Sequence, residues 1–197
     1  MVYAQPKSDG IRCVGSKLGL FSRTGERIVS CKHIEEEITE LCKKHNVTFD
    51  GELYNHELHD SFEELSSLIR KTKNVTEEHW SKTRDVLQYH IYDLINHEDP
   101  NRNFGARIDD VYNILDRRDC DYLLPVETQE IVTLNEFDYF YNSWIEVGYE
   151  GAMLRTDGPY EHRRTTALMK RKEMQDAEFE IDRILEGTGN RAGMAGA

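Results

Sequence analysis

The first segment of this sequence that could do chemistry is Lys7-Ser8-Asp9-Gly10-Ile11-Arg12. A lysine has a reference pKa of about 10.4, so it becomes a nucleophile only where desolvation or neighbouring cations keep its amine uncharged. Gly10 permits a turn or a close approach to a ligand, and Arg12 offers a planar fork of donors suited to phosphate or ribose oxygens. By itself the hexapeptide is more typical of a solvated surface turn, so its interpretation depends on the other polar segments.

Carboxylates and lysines recur at the ends of apolar runs further along the chain. Lys170 and Lys172 stand two residues apart and therefore share one side of a predicted strand. Each such group alone is more often a solvated turn than a site. The segments are Phe49-Asp50-Gly51-Glu52-Leu53, Tyr89-His90-Ile91-Tyr92-Asp93-Leu94, Glu150-Gly151-Ala152-Met153-Leu154-Arg155 and Leu168-Met169-Lys170-Arg171-Lys172.

Composition limits the class of protein. The 197 residues suggest one domain, or one domain with part of a second. The formal net charge of −12 argues against an indiscriminate nucleic-acid binder but allows a small basic site on an acidic body. The sequence has no long apolar run and no apolar segment at its N-terminus, so we expect a cytoplasmic protein, in the host cytoplasm if it is viral. The cysteines Cys13, Cys31, Cys42 and Cys120 lack paired spacing, which predicts free thiols.

Local patterns predict an α+β fold with largely antiparallel sheets, because strands and helices alternate irregularly. Helical periodicity predicts helices over Ile34–Lys44, Ser61–Lys71, Arg107–Arg118 and Asn135–Val147. Ser61 followed by Glu64 predicts a capping box at the start of the second helix. Strands are predicted over Ile11–Val14, Leu18–Ser22, Val47–Leu53, Val86–Leu94, Gly151–Arg155, Ala167–Lys172 and Glu178–Leu185.

Taken in order, these segments resemble the nucleotidyltransferase motifs of the covalent ligase and capping-enzyme superfamily. K-x-D-G-x-R is similar to the nucleophile motif, and Ser22-Arg23-Thr24-Gly25 is similar to the arginine motif that follows it. F-D-G-E-L, Y-D-L, E-G-A-M-L-R and L-M-K-R-K resemble the later motifs. E-G-A-M-L-R and the Gly-rich C-terminal segment look like an ATP-dependent DNA ligase of the small viral or phage type.

The resemblance implies a fold and a reaction. The fold is an ATP-grasp-like nucleotidyltransferase domain, with two antiparallel sheets and flanking helices, over residues 1–174, followed by the beginning of an OB-fold domain over residues 175–197. Lys7 is implied to attack the α-phosphorus of ATP and to form lysyl-AMP. The AMP then passes to the 5′-phosphate of nicked double-stranded DNA, and the 3′-hydroxyl seals the strand. Lys170, Lys172 and Mg²⁺, or Mn²⁺, are implied to stabilise the developing charge and to keep Lys7 uncharged.

Roles for other residues follow from the same resemblance. Glu52 is placed near the ribose and Glu150 near the metal, and both carboxylates are the implied metal ligands. Tyr92 is implied to stack on adenine, although an aromatic residue in a strand is ordinarily core, and Gln5 is implied to read the adenine edge. Asp9 receives no role. The implied ATP-binding set is Gln5, Pro6, Lys7, Arg12, Arg23, Glu52, Tyr92, Lys170 and Lys172.

Several expectations remain open at this point. Lys7 is close to Met1, so the strand that usually precedes the nucleophile and any DNA-binding extension are expected to be absent. The chain is expected to act as a monomer that adenylates itself slowly and seals nicks poorly or not at all. Basic fragments are usually solvated surface but could contact DNA phosphates; they are Lys71-Thr72-Lys73, Arg117-Arg118 and Arg163-Arg164. The alternatives are an RNA ligase, a GTP-dependent capping guanylyltransferase, or a non-catalytic module that holds a nucleotide or a nick.

Overall fold

The strands of the protein collect into two main sheets and one small one. The computed structural model describes residues 1–116, 121–163, 165–173, 180, 182–189 and 192–196. Within them the order is β1 (Val2–Lys7), β2 (Ile11–Ser16), β3 (Gly19–Ser22), β4 (Arg27–Ile28), α1 (Lys32–His45), β5 (Val47–Tyr54), a 3-10 helix (His56–Leu58), α2 (Phe62–Ile69), α3 (Glu77–Val86), β6 (Gln88–Asn96), α4 (Phe104–Leu115), β7 (Leu123–Pro125), β8 (Gln129–Ile131), α5 (Leu134–Glu146), β9 (Gly151–Thr156), β10 (Leu168–Lys172), β11 (Leu185–Glu186) and β12 (Ala195–Gly196).

The larger sheet has six strands in the order β4-β3-β2-β5-β6-β7. Its pairs are antiparallel except for β6 and β7, which are parallel. The β2–β5 register sets Arg12 opposite Glu52, so that the two charged side chains share one face of the sheet. Because side chains alternate along a strand, Phe49 and Leu53 of β5 enter the core, while Asp50 and Glu52 line a cavity.

The second sheet has four antiparallel strands in the order β10-β9-β1-β8. Its register sets Lys7 of β1 opposite Gly151, the first residue of β9, and Gly151 opposite Lys172 of β10. Two lysines that are far apart in sequence therefore flank the start of β9. Glu150 stands immediately before that point, so the sheet brings a carboxylate between two cations.

Two hydrophobic clusters pack these sheets against the helices. The larger cluster packs the six-stranded sheet against helices, with Ile34 and Ile38 of α1 and Val111 of α4 fully buried. The smaller cluster packs the four-stranded sheet against α5 through Ala4, Phe137, Tyr141, Trp144 and Ala152. Burial of a side chain such as Ile contributes roughly 1.5–3 kcal/mol. The packing therefore fixes the relative positions of strands that carry polar residues on their other side.

The α+β class with two mainly antiparallel sheets and flanking helices is confirmed. The predicted helices correspond to α1, α2, α4 and α5, and the first six predicted strands correspond to β2, β3, β5, β6, β9 and β10. Val86 ends α3 instead of beginning a strand. Of the predicted strand Glu178–Leu185, residues 178, 179 and 181 lie outside the described residues, and among the others only Leu185 lies in a strand, β11. Arg117 and Arg118 also lie outside the described residues.

Two local expectations are wrong. Ser61 stands at the start of α2, but its side chain makes no capping hydrogen bond there; the capping box is at Thr133 and Glu136, where α5 begins. A strand does precede the nucleophile, since Val2–Lys7 forms β1 between β9 and β8. Pro6 argues against a central strand by sequence, but β8 pairs only with Val2–Ala4, so β1 has an open side at Pro6 that tolerates a missing N–H.

Cys13, Cys31 and Cys42 are free and buried, as predicted, and Cys120 lies outside the described residues. Burial raises the pKa of the Cys31 thiol to about 12, so this thiol stays protonated. In the described part of the chain, no helix is both long and apolar enough to cross a membrane.

Candidate active site

The amine of Lys7 contacts the carboxylate of Glu150, the residue immediately before β9. Its Nζ donates a hydrogen bond to Oε2 of Glu150, while Lys172 Nζ lies 3.2 Å from Oε1 of the same carboxylate. The Lys7 side chain is 23% exposed and that of Glu150 is 26% exposed. Burial alone would raise the pKa of Glu150, but the hydrogen bonds and charges of Lys7 and Lys172 outweigh it and hold that pKa below its ordinary value. Glu150 is therefore a carboxylate held ionised between two lysines.

The turn after Lys7 passes close to the six-stranded sheet. A Cβ at Gly10 would lie 2.5 Å from the carbonyl oxygen of Leu53 and 2.8 Å from Cγ of Glu52. Only glycine avoids this contact without displacing β5. The close approach brings Lys7 of one sheet towards Glu52 of the other. Packing across the site therefore explains why glycine is required at position 10.

A cavity of about 850 Å³ lies between the two main sheets. That volume is in the range of pockets for small ligands and cofactors. Of the predicted site residues, only Glu150 and Lys172 do not line it; Glu150 contacts Lys7, and Lys172 contacts Glu150. The predicted residues that line it are Gln5, Pro6, Lys7, Arg12, Arg23, Glu52, Tyr92 and Lys170. The structure thus brings the predicted set together around one space.

Glu52 is a second carboxylate close to Lys7. Burial raises the pKa of Glu52 to about 8, against the opposing charge of Lys7. Glu52 and Glu150 offer hard oxygen ligands on two sides of Lys7. Mg²⁺ needs only one or two protein carboxylates because it keeps several waters, so these residues fit such an ion. The described residues contain no cluster of three or more metal-ligating side chains.

Asp50 holds the Arg12 side chain at the wall of the cavity through two hydrogen bonds. Arg12 Nε and Nη2 donate to Oδ1 and Oδ2 of Asp50 at 2.9 and 2.7 Å. The Tyr160 hydroxyl donates to Asp50 Oδ2 at 2.7 Å and accepts from Arg12 Nη2 at 3.1 Å. The hydrogen bonds with Asp50 raise the pKa of Arg12 above its ordinary value. Arg12 is therefore a fixed cation, held by Asp50 of β5 and by Tyr160.

The inner end of the cavity is built on a buried ion network. Asp93 is fully buried and binds Arg107 Nε at 2.8 Å and Arg155 Nη1 at 3.1 Å. Arg107 also donates to the carbonyl oxygen of Gly158 at 2.7 Å. Tyr92 lines the cavity, with the Arg155 guanidinium 5.2 Å from its ring centroid and its hydroxyl 3.2 Å from Asp50 Oδ1.

Several residues of this site have no role that the sequence motifs predicted. Asp50, Asp93 and Arg155 occur inside the motifs, so their side-chain types were a usable signal. Arg107 was placed only in a predicted helix, and Tyr160 stands in a segment with no motif. Among the basic fragments, Lys71 and Lys73 are exposed beyond α2 and Arg163 pairs with Glu161 at 2.8 Å, while Arg117, Arg118 and Arg164 lie outside the described residues.

Comparison with known proteins supplies a family. Residues 1–172 match the family model described as the ATP-dependent DNA ligase domain. The chain is 25% identical to the DNA ligase of Enterobacteria phage T6 and 24% identical to that of Enterobacteria phage T4, each alignment covering 91% of this chain and 46% of the relative. The chain therefore spans about half the length of these curated relatives.

Solved structures show the same fold. A Lig E DNA ligase superposes with a TM-score of 0.74 at 22% identity, over 99% of this chain and 71% of that one. Chlorella virus DNA ligase-adenylate gives a TM-score of 0.68 at 24% identity, over 89% and 64% of the two chains. The ATP-dependent DNA ligase from bacteriophage T7, in complex with ATP, gives 0.66 at 18% identity, over 98% and 69%.

Proposed function

The chain belongs to the ATP-dependent DNA ligase domain family, and from this premise we propose that it is the nucleotidyltransferase core of a DNA ligase in which Lys7 takes AMP from ATP. The observation that carries the proposal is the amine of Lys7 at the wall of an 850 Å³ cavity, in contact with Glu150. A lysine at the end of a strand, which shares a carboxylate with a second lysine, suits nucleophilic attack on a polyphosphate.

The first reaction is a substitution at the α-phosphorus. The uncharged Nζ of Lys7 forms a bond to that phosphorus, and the bond to the pyrophosphate oxygen breaks. Lysyl-AMP and pyrophosphate result, and Nζ gives up its proton. The Glu150 carboxylate is in contact with Nζ and is the group that can accept it. Lys172, which shares Glu150 with Lys7, and Lys170, which lines the cavity, supply positive charge near the departing pyrophosphate.

Other residues of the cavity bind the nucleotide. Arg12 and Arg23 contact ribose or phosphate oxygens, Glu52 binds the ribose, Tyr92 stacks on adenine and Gln5 contacts the adenine edge. Glu150 and Glu52 would hold Mg²⁺, or Mn²⁺ in its place, and such an ion would neutralise phosphate charge. Support for these assignments comes from the shared cavity and from the motif positions.

The full reaction transfers AMP to the 5′-phosphate of nicked double-stranded DNA and then seals the strand with the 3′-hydroxyl, with the protein acting as a monomer. We assign residues 1–174 to the nucleotidyltransferase domain and residues 175–197 to the beginning of an OB-fold domain. The family match over residues 1–172 supports that boundary, as does the separate pairing of β11 with β12.

Covalent labelling tests the first step. Incubation with α-labelled ATP and Mg²⁺ should add one AMP to the protein, detected by intact mass and by retained label. Lys7→Ala should abolish the label, whereas Lys17→Ala, a change of the same type at an exposed lysine, should keep it. A wild-type chain that stays unlabelled with Mg²⁺ and with Mn²⁺ across pH contradicts the proposal.

Competition experiments separate the related activities. Label should be displaced by unlabelled ATP and not by GTP, because a capping guanylyltransferase would show the reverse. Adenylated protein incubated with 5′-phosphorylated nicked DNA should transfer AMP to that strand in preference to a nicked RNA duplex. Tight ATP binding with no adduct would identify a non-catalytic module instead.

A further inference from the structure

The side-chain amide of Gln5 has one possible hydrogen-bonding orientation. Its Nε2 donates to the carbonyl oxygen of Tyr92 at 3.1 Å and to the hydroxyl oxygen of Thr128 at 2.9 Å. That hydroxyl gives its own proton to the carbonyl oxygen of Val126 at 3.0 Å, so it acts as an acceptor towards Gln5. Oε1 of Gln5 accepts from Nε of Arg155 at 2.9 Å. A flipped amide would set a carbonyl against a carbonyl and an NH₂ group against a guanidinium.

Arg155 is itself held rigidly. Its Nη1 binds the fully buried Asp93 at 3.1 Å, and Asp93 is fixed in turn by Arg107. The Arg155 guanidinium packs against Tyr92 and Phe104, with ring-centroid distances of 5.2 and 5.1 Å. The donor that faces Gln5 is therefore preset before any ligand arrives, because a guanidinium has no acceptor and is always charged.

These contacts leave Gln5 with one unused hydrogen-bonding position. Both N–H groups of its amide are donated, and one lone pair of Oε1 is taken, so the second lone pair of Oε1 remains. Gln5 is only 1% exposed, yet it lines the cavity. The Gln5 side chain therefore presents an acceptor and no free donor at this point of the wall.

We propose that Arg155 is a specificity-determining positioning residue, which holds Gln5 Oε1 as an acceptor for the 6-amino group of a purine and so selects adenine over 6-oxopurines. The inference rests on the proposed function, because it assumes that the cavity holds a purine nucleotide. A 6-oxopurine, such as hypoxanthine or guanine, carries an acceptor at that position and would face Oε1 with no proton between the two oxygens. A site built around a hydrogen bond discriminates strongly against a ligand that lacks the matching group.

Binding of AMP and IMP tests this choice separately from catalysis, because neither nucleotide can donate AMP to Lys7. The pair differs at the 6-position, and calorimetric titration of the full chain gives the ratio of the two dissociation constants. Wild type should bind AMP at least about tenfold more tightly than IMP, the factor that about 1.4 kcal/mol represents. Arg155→Met should move the ratio towards one, because Oε1 loses the donor that fixes its direction and only the two Nε2 contacts then orient the amide. If Arg155 had only a structural role, its replacement would weaken the binding of both nucleotides equally and leave the ratio unchanged.

Matched variants keep the test decisive. Arg84→Met makes the same change at an exposed arginine of α3 and should preserve the wild-type ratio. Gln5→Met removes the acceptor itself while leaving Arg155 in place, and it should also abolish the preference, which covers the case in which Arg155→Met fails to fold. A folded Arg155→Met or Gln5→Met protein with the wild-type ratio overturns the inference.

The two proposals fail in different ways. A chain that forms lysyl-AMP but binds AMP and IMP equally overturns the adenine selection alone. A chain that prefers AMP through Arg155 but never forms lysyl-AMP overturns the proposed function alone.

Discussion

Replacing Asp93 by asparagine should destabilise the protein by about 3–5 kcal/mol, the cost of removing one partner from a buried ion pair. The carboxylate is fully buried and accepts from the backbone N–H of Leu94 at 2.8 Å, from Arg107 Nε and Nη2 at 2.8 and 3.1 Å, and from Arg155 Nη1 at 3.1 Å. Asparagine keeps the shape but converts one oxygen into an NH₂ donor that faces guanidinium donors. Arg107 and Arg155, whose side chains are 4% and 13% exposed, would then lose the negative charge of Asp93.

Asp138→Asn is the matched control, because Asp138 pairs with Arg171 at the surface, where the two side chains are 42% and 44% exposed. An exposed pair contributes about 0–1 kcal/mol. Urea unfolding measures both variants, since the change in midpoint at constant slope gives the change in free energy. In a protein of this size each kcal/mol shifts Tm by about 2–4 °C, so Asp93→Asn should lower Tm by roughly 6–20 °C. Losses of equal size in the two variants would refute the reasoning from burial and charge.

Three further changes have defined outcomes. Tyr160→Phe removes the donor to Asp50 at 2.7 Å and should weaken ATP binding about tenfold by calorimetry, while the same change at the exposed Tyr139 should not. In metal-free buffer, Glu52→Gln should gain stability over wild type, by at most about 5 kcal/mol, as pH rises from about 4.5 to about 8. Burial raises the pKa of Glu52 in the folded protein to about 8, so over this interval the unfolded chain ionises this carboxyl group while the folded chain keeps it protonated. A difference in stability that does not change with pH contradicts this expectation. Gly151→Ala should lower stability by about 1–3 kcal/mol in urea unfolding and slow lysyl-AMP formation, since its Cβ would lie 2.1 Å from the Arg171 carbonyl oxygen, whereas Gly158→Ala, with nothing within 4 Å, should leave unfolding unchanged.

Local sequence patterns predict the helices and strands of this protein well where one face of the element is apolar. The periodicity of Ile34, Ile38 and Leu41 predicts α1, and all three side chains are buried. The same approach misses β1, because only six residues precede Lys7 and the pairing partners of this short run, β8 and β9, lie far along the chain. It also places a capping box at Ser61, since a pattern shows which side chain could cap a helix but not whether it reaches the backbone.

The types of the chemical residues are readable from the sequence. Lys7, Glu52, Glu150, Lys170 and Lys172 stand in motifs whose order and spacing predict their roles. Amino-acid type alone says which groups can be a nucleophile, a metal ligand or a phosphate partner, because those properties belong to the side chain itself. The family assignment rests on the same information and agrees with the match over residues 1–172.

Only the tertiary structure decides which of these groups meet. Glu150 joins Lys7 to Lys172 because β9 lies between β1 and β10 in a particular register, and Arg155 meets Gln5 across 150 positions of sequence. Hydrogen bonds act over about 3 Å, so they depend on strand order, register and packing, which no local pattern contains. The amino-acid sequence thus specifies the chemical groups of the site, whereas the fold of the chain selects their partners and, through them, the orientation of each polar atom towards the cavity.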